Sequence, residues 1–492
     1  MAEQVGVVIA GAGFSGLAMA IKLKQSGRDD FVVLDRAEDV GGVWQLNTYP
    51  GCTCDIPSHL YSLSFAPNPE WSHTYSPQPE IREYLRRIAD RFGLRSQIRT
   101  GVAVEAATWS QDDQRWTIET STGAFDCSVF ISAVGPLTEP NLPDVPGLSS
   151  FAGKLMHSAR WDHDFDLSGK RVASIGTGAS AIQYVPEIAD QVAQLHVFQR
   201  TPPWVMPHGN RPINDWERAL YRRAPAIQEL VRQGVYWSRE LLVLGMAKDP
   251  RLLGLLEKVS RSHMRKGLSD SGLLAKVTPD YTVGCKRIVP SNRWYPALAK
   301  PNVELISGGL AEVRGNTVIS SDGLEREVDV IILGTGYHVT DIPFASHVRG
   351  RDAVLQDTWE GRPRAYLGAS IPGFPNFFML LGPNTGLGHS SMVYMIESQV
   401  GHVIGAIDAM QATRSSMIEV RPEAHDDYNR EIDARLRGTV WEIGGCSSFY
   451  RDRTGRNATL WPDWTWRFRR RSTESPAHAY RLTSPAREAV TA

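Results

Sequence analysis

The chain has 492 residues, 42% hydrophobic and 22% charged, with a formal net charge of −1. That length exceeds one comfortable hydrophobic core and predicts two or three domains. The near-neutral balance gives no reason to expect nucleic acid or an anionic membrane as a partner.

No apolar run reaches the roughly 18 residues that a membrane span needs. The first residues lack the basic region of a secretory signal, so a cytoplasmic location is expected. Five cysteines (Cys52, Cys54, Cys127, Cys285 and Cys446) are few and odd in number, which fits a reducing compartment. Cys52 and Cys54 read as structural thiols, because C-x-C without further ligands is weak as a zinc site, and no metal is expected.

Residues 5–10 form a short apolar run that predicts a buried strand, followed at once by the G-x-G-x-x-G loop containing Gly11, Gly13, Ser15 and Gly16. Helix formers continue to Lys24, and a second strand over 31–35 ends in Asp35. This order is a dinucleotide-binding unit. The first glycine makes the tight turn, the second lets backbone approach a pyrophosphate, and the third packs helix against strand. The helix N-terminus favours the anion, and Asp35 can accept hydrogen bonds from both ribose hydroxyls.

A strand over 129–133 then leaves the first unit through a linkage rich in proline and glycine. Between this exit and the next loop stand Phe151, Gly153, His157, Trp161 and Asp162, in the pattern F-x-G-x-x-x-H-x-x-x-W-D. Packing residues suit Phe151, Gly153 and Trp161; His157 is expected to couple the position of the second unit to the first. A strand over 170–175 opens into a second glycine loop with Thr177, Gly178, Ala179, Ser180 and, on the helix, Gln183. Ala181 takes the third-glycine position.

Asp35 lies 24 positions after Gly11, and 24 positions after Gly176 stands Arg200. A carboxylate there would repel a 2′-phosphate, whereas a guanidinium can clamp it. Arg200 and Thr201 therefore point to NADP(H) rather than NAD(H).

Residues 214 to about 275 carry helical periodicity and read as a helical insertion. Gly284-Cys285-Lys286-Arg287 follows, then a strand over 328–333 ending at Gly334 and Gly336, the second domain exit. Residues 381–392, rich in glycine, lead into a helix; His389 in this loop reads as a cap or packing residue rather than a local acid. The end turns basic, and from Ser472 the composition predicts a partly disordered tail.

The F-x-G-x-x-x-H-x-x-x-W-D string, the Tyr49-Pro50-Gly51…Cys54-Asp55 segment and the Gly284–Arg287 run together resemble the type I Baeyer–Villiger monooxygenases, in family order. The resemblance implies two Rossmann-like α/β domains, for FAD and NADP, with a helical insertion. It divides the chain into FAD-binding parts at 1–140 and 337–471, NADP-binding parts at 141–212 and 279–336, an insertion at 213–278, and a tail at 472–492. It implies a flavin-side set of Gly11, Gly13, Ser15, Gly16, Asp35, Arg36, Trp44, Asp55, Tyr61, Val104 and Met392. The NADP-side set is Thr177, Gly178, Ala179, Ser180, Gln183, Arg200, Thr201, Lys286 and Arg287. Arg287 and Asp55 are the implied catalytic pair and Lys286 a 2′-phosphate contact; Trp441 and residues 455–462 resemble the C-terminal region of the shorter enzymes, which implies a place over the nicotinamide.

The implied reaction is NADPH- and O2-dependent conversion of a ketone to an ester or lactone through a C4a-peroxyflavin, with sulfoxidation of sulfides as a side reaction, by a monomer or homodimer. A flavin-containing N- or S-monooxygenase is the nearest rival, and a flavin-binding protein without turnover is the rival of another class. Gly334 departs from the alanine usual in such flavoproteins at that exit.

Overall fold

The computed structural model describes residues 2–484. Strand β1 (Glu3–Ala10) pairs in parallel with β2 (Phe31–Asp35), and β2 with β3 (Ile98–Thr100). On the other side of β1 runs β6 (Gly123–Ser132), preceded by the antiparallel β4 (Val104–Ser110) and β5 (Arg115–Thr120). The first half of β6 pairs with β5 and the second with Phe377–Met379, so a late segment completes the first sheet.

Val7 to Ala10 and all of β2 are buried, as parallel strands covered on both faces require. Helix α1 (Phe14–Gln25) is apolar nearly all round, and it is buried between this sheet and a later long helix (Met392–Thr413).

The first glycine loop shows why its residues are glycines. Gly11 has φ +110°, and a Cβ there would lie 2.5 Å from the Ala133 carbonyl oxygen. At Gly16 a Cβ would stand 1.8 Å from the Gly11 oxygen. A side chain at Gly16 would push α1 off the end of β1, and one at Gly11 would push the turn off the chain leaving β6.

The second sheet is wholly parallel. Its order is Val303–Ser307, β9 (Gln194–Gln199), β8 (Arg171–Ile175), Val330–Leu333 and β7 (Lys154–His157). Helix α2 (Ala179–Ile188) follows β8. At the exit glycine Gly334, a Cβ would stand 3.0 Å from the Tyr184 hydroxyl and 3.2 Å from the Ile175 carbonyl, while its 3.5 Å to the Ala181 methyl would be an ordinary contact.

The F-x-G-x-x-x-H string is no mere linker: Lys154–His157 within it is the edge strand β7. Beyond β9 the chain forms helices α3 (Asp215–Arg223), α4 (Pro225–Glu240), α5 (Gly254–Gly267) and α6 (Ser271–Val277).

Cys285 and Cys446 form a disulfide across 161 positions, a pairing that the odd count of five gives no sign of; Cys52, Cys54 and Cys127 are buried thiols. Of the tail from Ser472, expected to be partly disordered, the stretch up to Thr483 holds regular structure. Tyr480–Thr483 pairs antiparallel with Met417–Val420, and Tyr480 buries its ring and hydrogen-bonds His402 and Ser370. One aromatic anchor outweighs the polar composition around it; residues 485–492 lie outside the described residues.

Candidate functional site

Gly13 caps α1 without a side-chain hydrogen bond, which leaves the first-turn N–H groups of Phe14, Ser15 and Gly16 facing outward from the loop. Asp35 ends β2 beside this turn, accepting from the backbone N–H of Ala12 at 2.6 Å and of Ala37 at 2.8 Å. Burial raises its carboxyl above the usual value, and those two hydrogen bonds pull the other way. Arg36 points away to an ion pair with Glu139.

Trp44 donates its indole N–H to the Tyr61 hydroxyl at 3.0 Å, and Tyr61 packs edge-on against both Trp44 and Phe14. Val104 opens β4 two residues after Val102, whose N–H donates to the Asp35 carbonyl. A helix N-terminus without a side-chain cap, a turn in which Gly11 and Gly13 carry no Cβ, and a buried acid one strand away fit a dinucleotide pyrophosphate and ribose.

The loop over 381–392 faces the same region. Ser391 caps the helix α7 (Met392–Thr413), its hydroxyl accepting from the Val393 N–H, and Met392 is the first helical residue. His389 Nδ1, Ser390 Oγ and the Trp441 indole N–H are buried near this loop with no protein partner. Three orphaned polar atoms at one loop fit a polar ring system seated against it.

Arg287 meets Asp55 side by side: Nε donates to one carboxylate oxygen at 2.6 Å and Nη2 to the other at 2.5 Å. The third nitrogen, Nη1, reaches only the Leu387 carbonyl, at 3.4 Å. Burial alone would raise the Asp55 carboxyl, but the Arg287 charge and its hydrogen bonds hold it below the usual range. Burial works against the Arg287 charge, and Asp55 more than reverses it, so the guanidinium stays protonated. The pair sets a fixed cation at the rim of the loop over 381–392, with one nitrogen nearly free.

The second loop mirrors the first. Gly178 caps α2 without a side-chain bond, and no atom lies within 4 Å of where its Cβ would stand. Ala179 and Ser180 open the helix, and the Thr177 hydroxyl donates to the Thr201 carbonyl at 3.3 Å. Arg200, at the end of β9, has no ion pair or hydrogen bond among the described residues. Lys286 also lacks an ion pair there and lies over the Tyr281 ring at 5.2 Å. Burial and then the Arg200 charge lower the Lys286 ammonium from its ordinary value. Asp280 pulls the other way from a distance but pairs with neither, and two neighbouring cations without an ion pair fit a phosphate dianion.

Gln183 is placed differently. Its amide oxygen accepts from the Tyr49 hydroxyl at 2.9 Å and its NH2 donates to the Thr53 carbonyl at 2.8 Å. It ties α2 to the segment that carries Asp55.

The residues of the F-x-G-x-x-x-H-x-x-x-W-D string hold one another. A Cβ on Gly153 would lie 2.3 Å from the Asp329 carbonyl and 2.7 Å from the Phe151 ring. Trp161 packs on Tyr184 with ring centres 5.5 Å apart, and Asp162 pairs with Lys154 inside the string. His157 is buried; its Nδ1 accepts from the Ala159 N–H, and its ring stands edge-on to Tyr337 beside the second exit. Burial pushes its imidazole down to about 4.

Several residues of the site carry no local signal in the sequence. Glu240, at the end of α4, is fully buried; its carboxylate accepts from the Thr465 N–H and hydroxyl at 3.0 and 2.7 Å and lies 3.2 Å from His389 Nε2. His389 is thus a packing partner of the loop. Tyr450 is buried near Arg287, and burial pushes its hydroxyl up to about 12. Arg239 donates to the Tyr75 hydroxyl at 2.9 Å and adds its charge to the field on Asp55. Residues 457–460 clamp the loop from behind: Asn384 donates its side-chain NH2 to the carbonyls of Asn457 and Leu460. Among the described residues no cluster of His, Cys, Asp and Glu could hold a metal ion.

Residues 8–216 match the pyridine nucleotide-disulphide oxidoreductase family. A Baeyer–Villiger monooxygenase of Streptomyces coelicolor is 50% identical over 487 residues, covering 98% of this chain and 94% of the relative. A solved steroid monooxygenase bound to NADP superposes with a TM-score of 0.85 at 32% identity, over 98% of this chain and 100% of that one. An OTEMO complex with FAD and NADP superposes with a TM-score of 0.87 at 28% identity, over 98% and 100% of the two chains. Two dinucleotide-binding sheets, the Asp55–Arg287 pair between their loops and likeness along nearly the whole chain lead to one conclusion: the chain belongs to the Baeyer–Villiger monooxygenases.

Proposed function

We propose that the protein converts ketones to esters or lactones with FAD, NADPH and O2, and oxidises sulfides as a side reaction. The observation that carries this reading is the Arg287–Asp55 pair beside the loop over 381–392. The flavin, once reduced by NADPH, supplies activated oxygen. The chain supplies the setting for the attack on the carbonyl.

Arg287 is the catalytic residue. As the carbonyl carbon becomes tetrahedral its oxygen gains negative charge, and a permanently protonated donor lowers that barrier without giving up a proton. Asp55 fixes the plane of the guanidinium and aims the nearly free Nη1 toward the reacting centre. The phosphates of FAD sit on Gly11, Gly13, Ser15 and Gly16, with Asp35 on the ribose; Trp44, Tyr61, Val104 and Met392 line the remaining length.

Thr177, Gly178, Ala179 and Ser180 receive the NADP pyrophosphate. Arg200, Thr201 and Lys286 take the 2′-phosphate, which answers their unpaired charge. Gln183 also ties the loop to Tyr49 and Thr53, and Arg36 pairs with Glu139, so each links its cofactor side to the rest of the chain. His157, with Phe151, Gly153, Trp161 and Asp162, sets how the second sheet meets the first. The sheets support reading 1–140 and 337–471 as FAD-binding, 141–212 and 279–336 as NADP-binding, and 213–278 as the insertion.

The test is NADPH consumption by the FAD-loaded protein across linear, cyclic, aryl and steroidal ketones, with product mass. Ester or lactone formation is expected with at least one class; hydrogen peroxide as the sole product of all of them would overturn the reading.

A further inference from the structure

Seven of the thirteen exposed large hydrophobic side chains among the described residues fall within 230–259. The remainder of a surface this size spreads the other six, so the concentration is local. Leu230 and Trp237 on α4 and Leu241 at its C-cap recur at spacings of seven and four, which places them on one helix face at 100° per residue. Leu244 and Leu252 follow along the chain on two short turns that pack against each other. The series ends on α5, where Leu255 and Val259 lie one turn apart and Leu255 is 70% exposed.

Cations flank this pair on α5: at 100° per residue Lys266 falls between Leu255 and Val259, and Lys258 and Arg265 fall about 60–80° to one side of Leu255. Lys258, Arg265 and Lys266 have no ion pair among the described residues. With Ser262 and Arg261, which pairs with Glu257 one turn back, they line an open cavity of about 340 Å³. An exposed tryptophan and leucines bordered by unpaired cations are the chemistry of a helix lying in the headgroup layer of a bilayer. The net charge of −1 conceals this patch because acids elsewhere cancel it in the sum.

We propose that the α4–α5 region docks the protein on an anionic phospholipid surface, lying on it rather than through it. No helix of the described residues is long and apolar enough to cross a membrane. Charge complementarity selects this occupant over a second copy. A two-fold contact would press the same patch against itself and set Lys258, Arg265 and Lys266 of one copy near those of the other. An anionic bilayer offers hydrocarbon for the leucines and phosphate for the cations together.

The buried side of the two turns faces the candidate site. A Cβ on Gly388 would lie 3.4 Å from Met246 Sδ, and one on Gly284 3.4 Å from Leu253 Cδ1. Docking would bring the wall of that site within one side-chain layer of the lipid, a short path for a lipophilic substrate. The docking itself stands apart from the ketone reading, because it is scored without turnover.

The test floats the FAD-loaded full chain with phosphatidylcholine vesicles, with and without phosphatidylglycerol. Flotation with the anionic vesicles alone is expected, weakening as salt is added. Each of Lys258→Glu, Arg265→Glu and Lys266→Glu should weaken it by at least about five-fold, and Leu241→Ser with Leu255→Ser should abolish it. Retained flavin absorbance and far-ultraviolet circular dichroism show that the variants are folded. No flotation of the unaltered protein overturns the proposal. So does competition by inorganic phosphate that matches the effect of these charge reversals, which would mark a free-phosphate site. A concentration-dependent dimer that the leucine variants dissociate, without flotation, overturns it in favour of a second copy.

Discussion

Replacing Arg287 by lysine keeps the charge and removes the geometry, which makes it the sharper of the two obvious substitutions. In the protein two of the three guanidinium nitrogens are committed to Asp55, at 2.6 and 2.5 Å, and the third is nearly free. A lysine has one nitrogen, so it can satisfy the Asp55 carboxylate or point at a developing alkoxide, but not both. Losing one oxyanion donor costs about 3–4 kcal/mol, a fall of about 10²–10³ in turnover to ester. Reduction of the flavin precedes that step, so its rate should change by no more than a few-fold. Anaerobic stopped-flow on the flavin band gives the first rate, and product mass with peroxide assay gives the second. Arg287→Lys should reduce flavin, consume O2 and release peroxide in place of ester. Ester formation within ten-fold of the unaltered enzyme would refute the assigned role.

Arg200→Ala should raise KM for NADPH by about 10–100-fold, the loss of one charge-assisted contact to a phosphate, while leaving KM for NADH nearly unchanged; equal rises would remove the 2′-phosphate assignment. Thiol labelling of the unfolded, unreduced protein should modify three of the five cysteines, because Cys285 and Cys446 are joined. Closing a loop of 161 positions stabilises by up to about 5 kcal/mol in the chain-entropy model, so Cys446→Ser should lower the unfolding midpoint; five labelled thiols and an unchanged midpoint would contradict the pairing. His157 is held neutral, with its imidazole lowered to about 4. A lowered histidine disfavours protonation of the folded state, so stability is lost as pH falls from about 6.5, where the unfolded chain begins to bind the proton, and levels off near 4. The loss integrates to about 3 kcal/mol. His157→Asn, which keeps an N-cap acceptor without a titrating ring, should flatten that part of the denaturant-midpoint profile. An unchanged slope would place the acid sensitivity elsewhere, for instance in His59 or His402, which burial also lowers to about 4.

Glycine loops and strand periodicity are local, and both nucleotide units were legible from them. The acid Asp35 and the cation Arg200 stand at the same offset because the same strand–loop–helix–strand unit delivers both. Arg287 and Asp55 are 232 positions apart, and only the family resemblance brought them together before the fold did. Glu240 had no such help: a glutamate at the end of an amphipathic helix reads as a solvated face until the fold buries it against Thr465 and His389. The Cys285–Cys446 bond was invisible for the same reason, because an odd count of five says nothing about which two thiols converge. The order of the tail up to Thr483 was not legible because composition weighs every residue equally, whereas one buried Tyr480 and one strand pairing decide it. The cationic face of α5 was lost in the opposite way, cancelled in a whole-chain sum that ignores position.

The most direct measurement supplies the FAD-loaded protein with NADPH, a ketone that drives NADPH consumption, and 18O2. The account predicts an ester or lactone that carries one 18O atom beside the unlabelled carbonyl-derived oxygen, with label lost from the organic product and found in peroxide when Arg287 is replaced by lysine. Labelled hydrogen peroxide and unchanged ketone from the unaltered enzyme would contradict it.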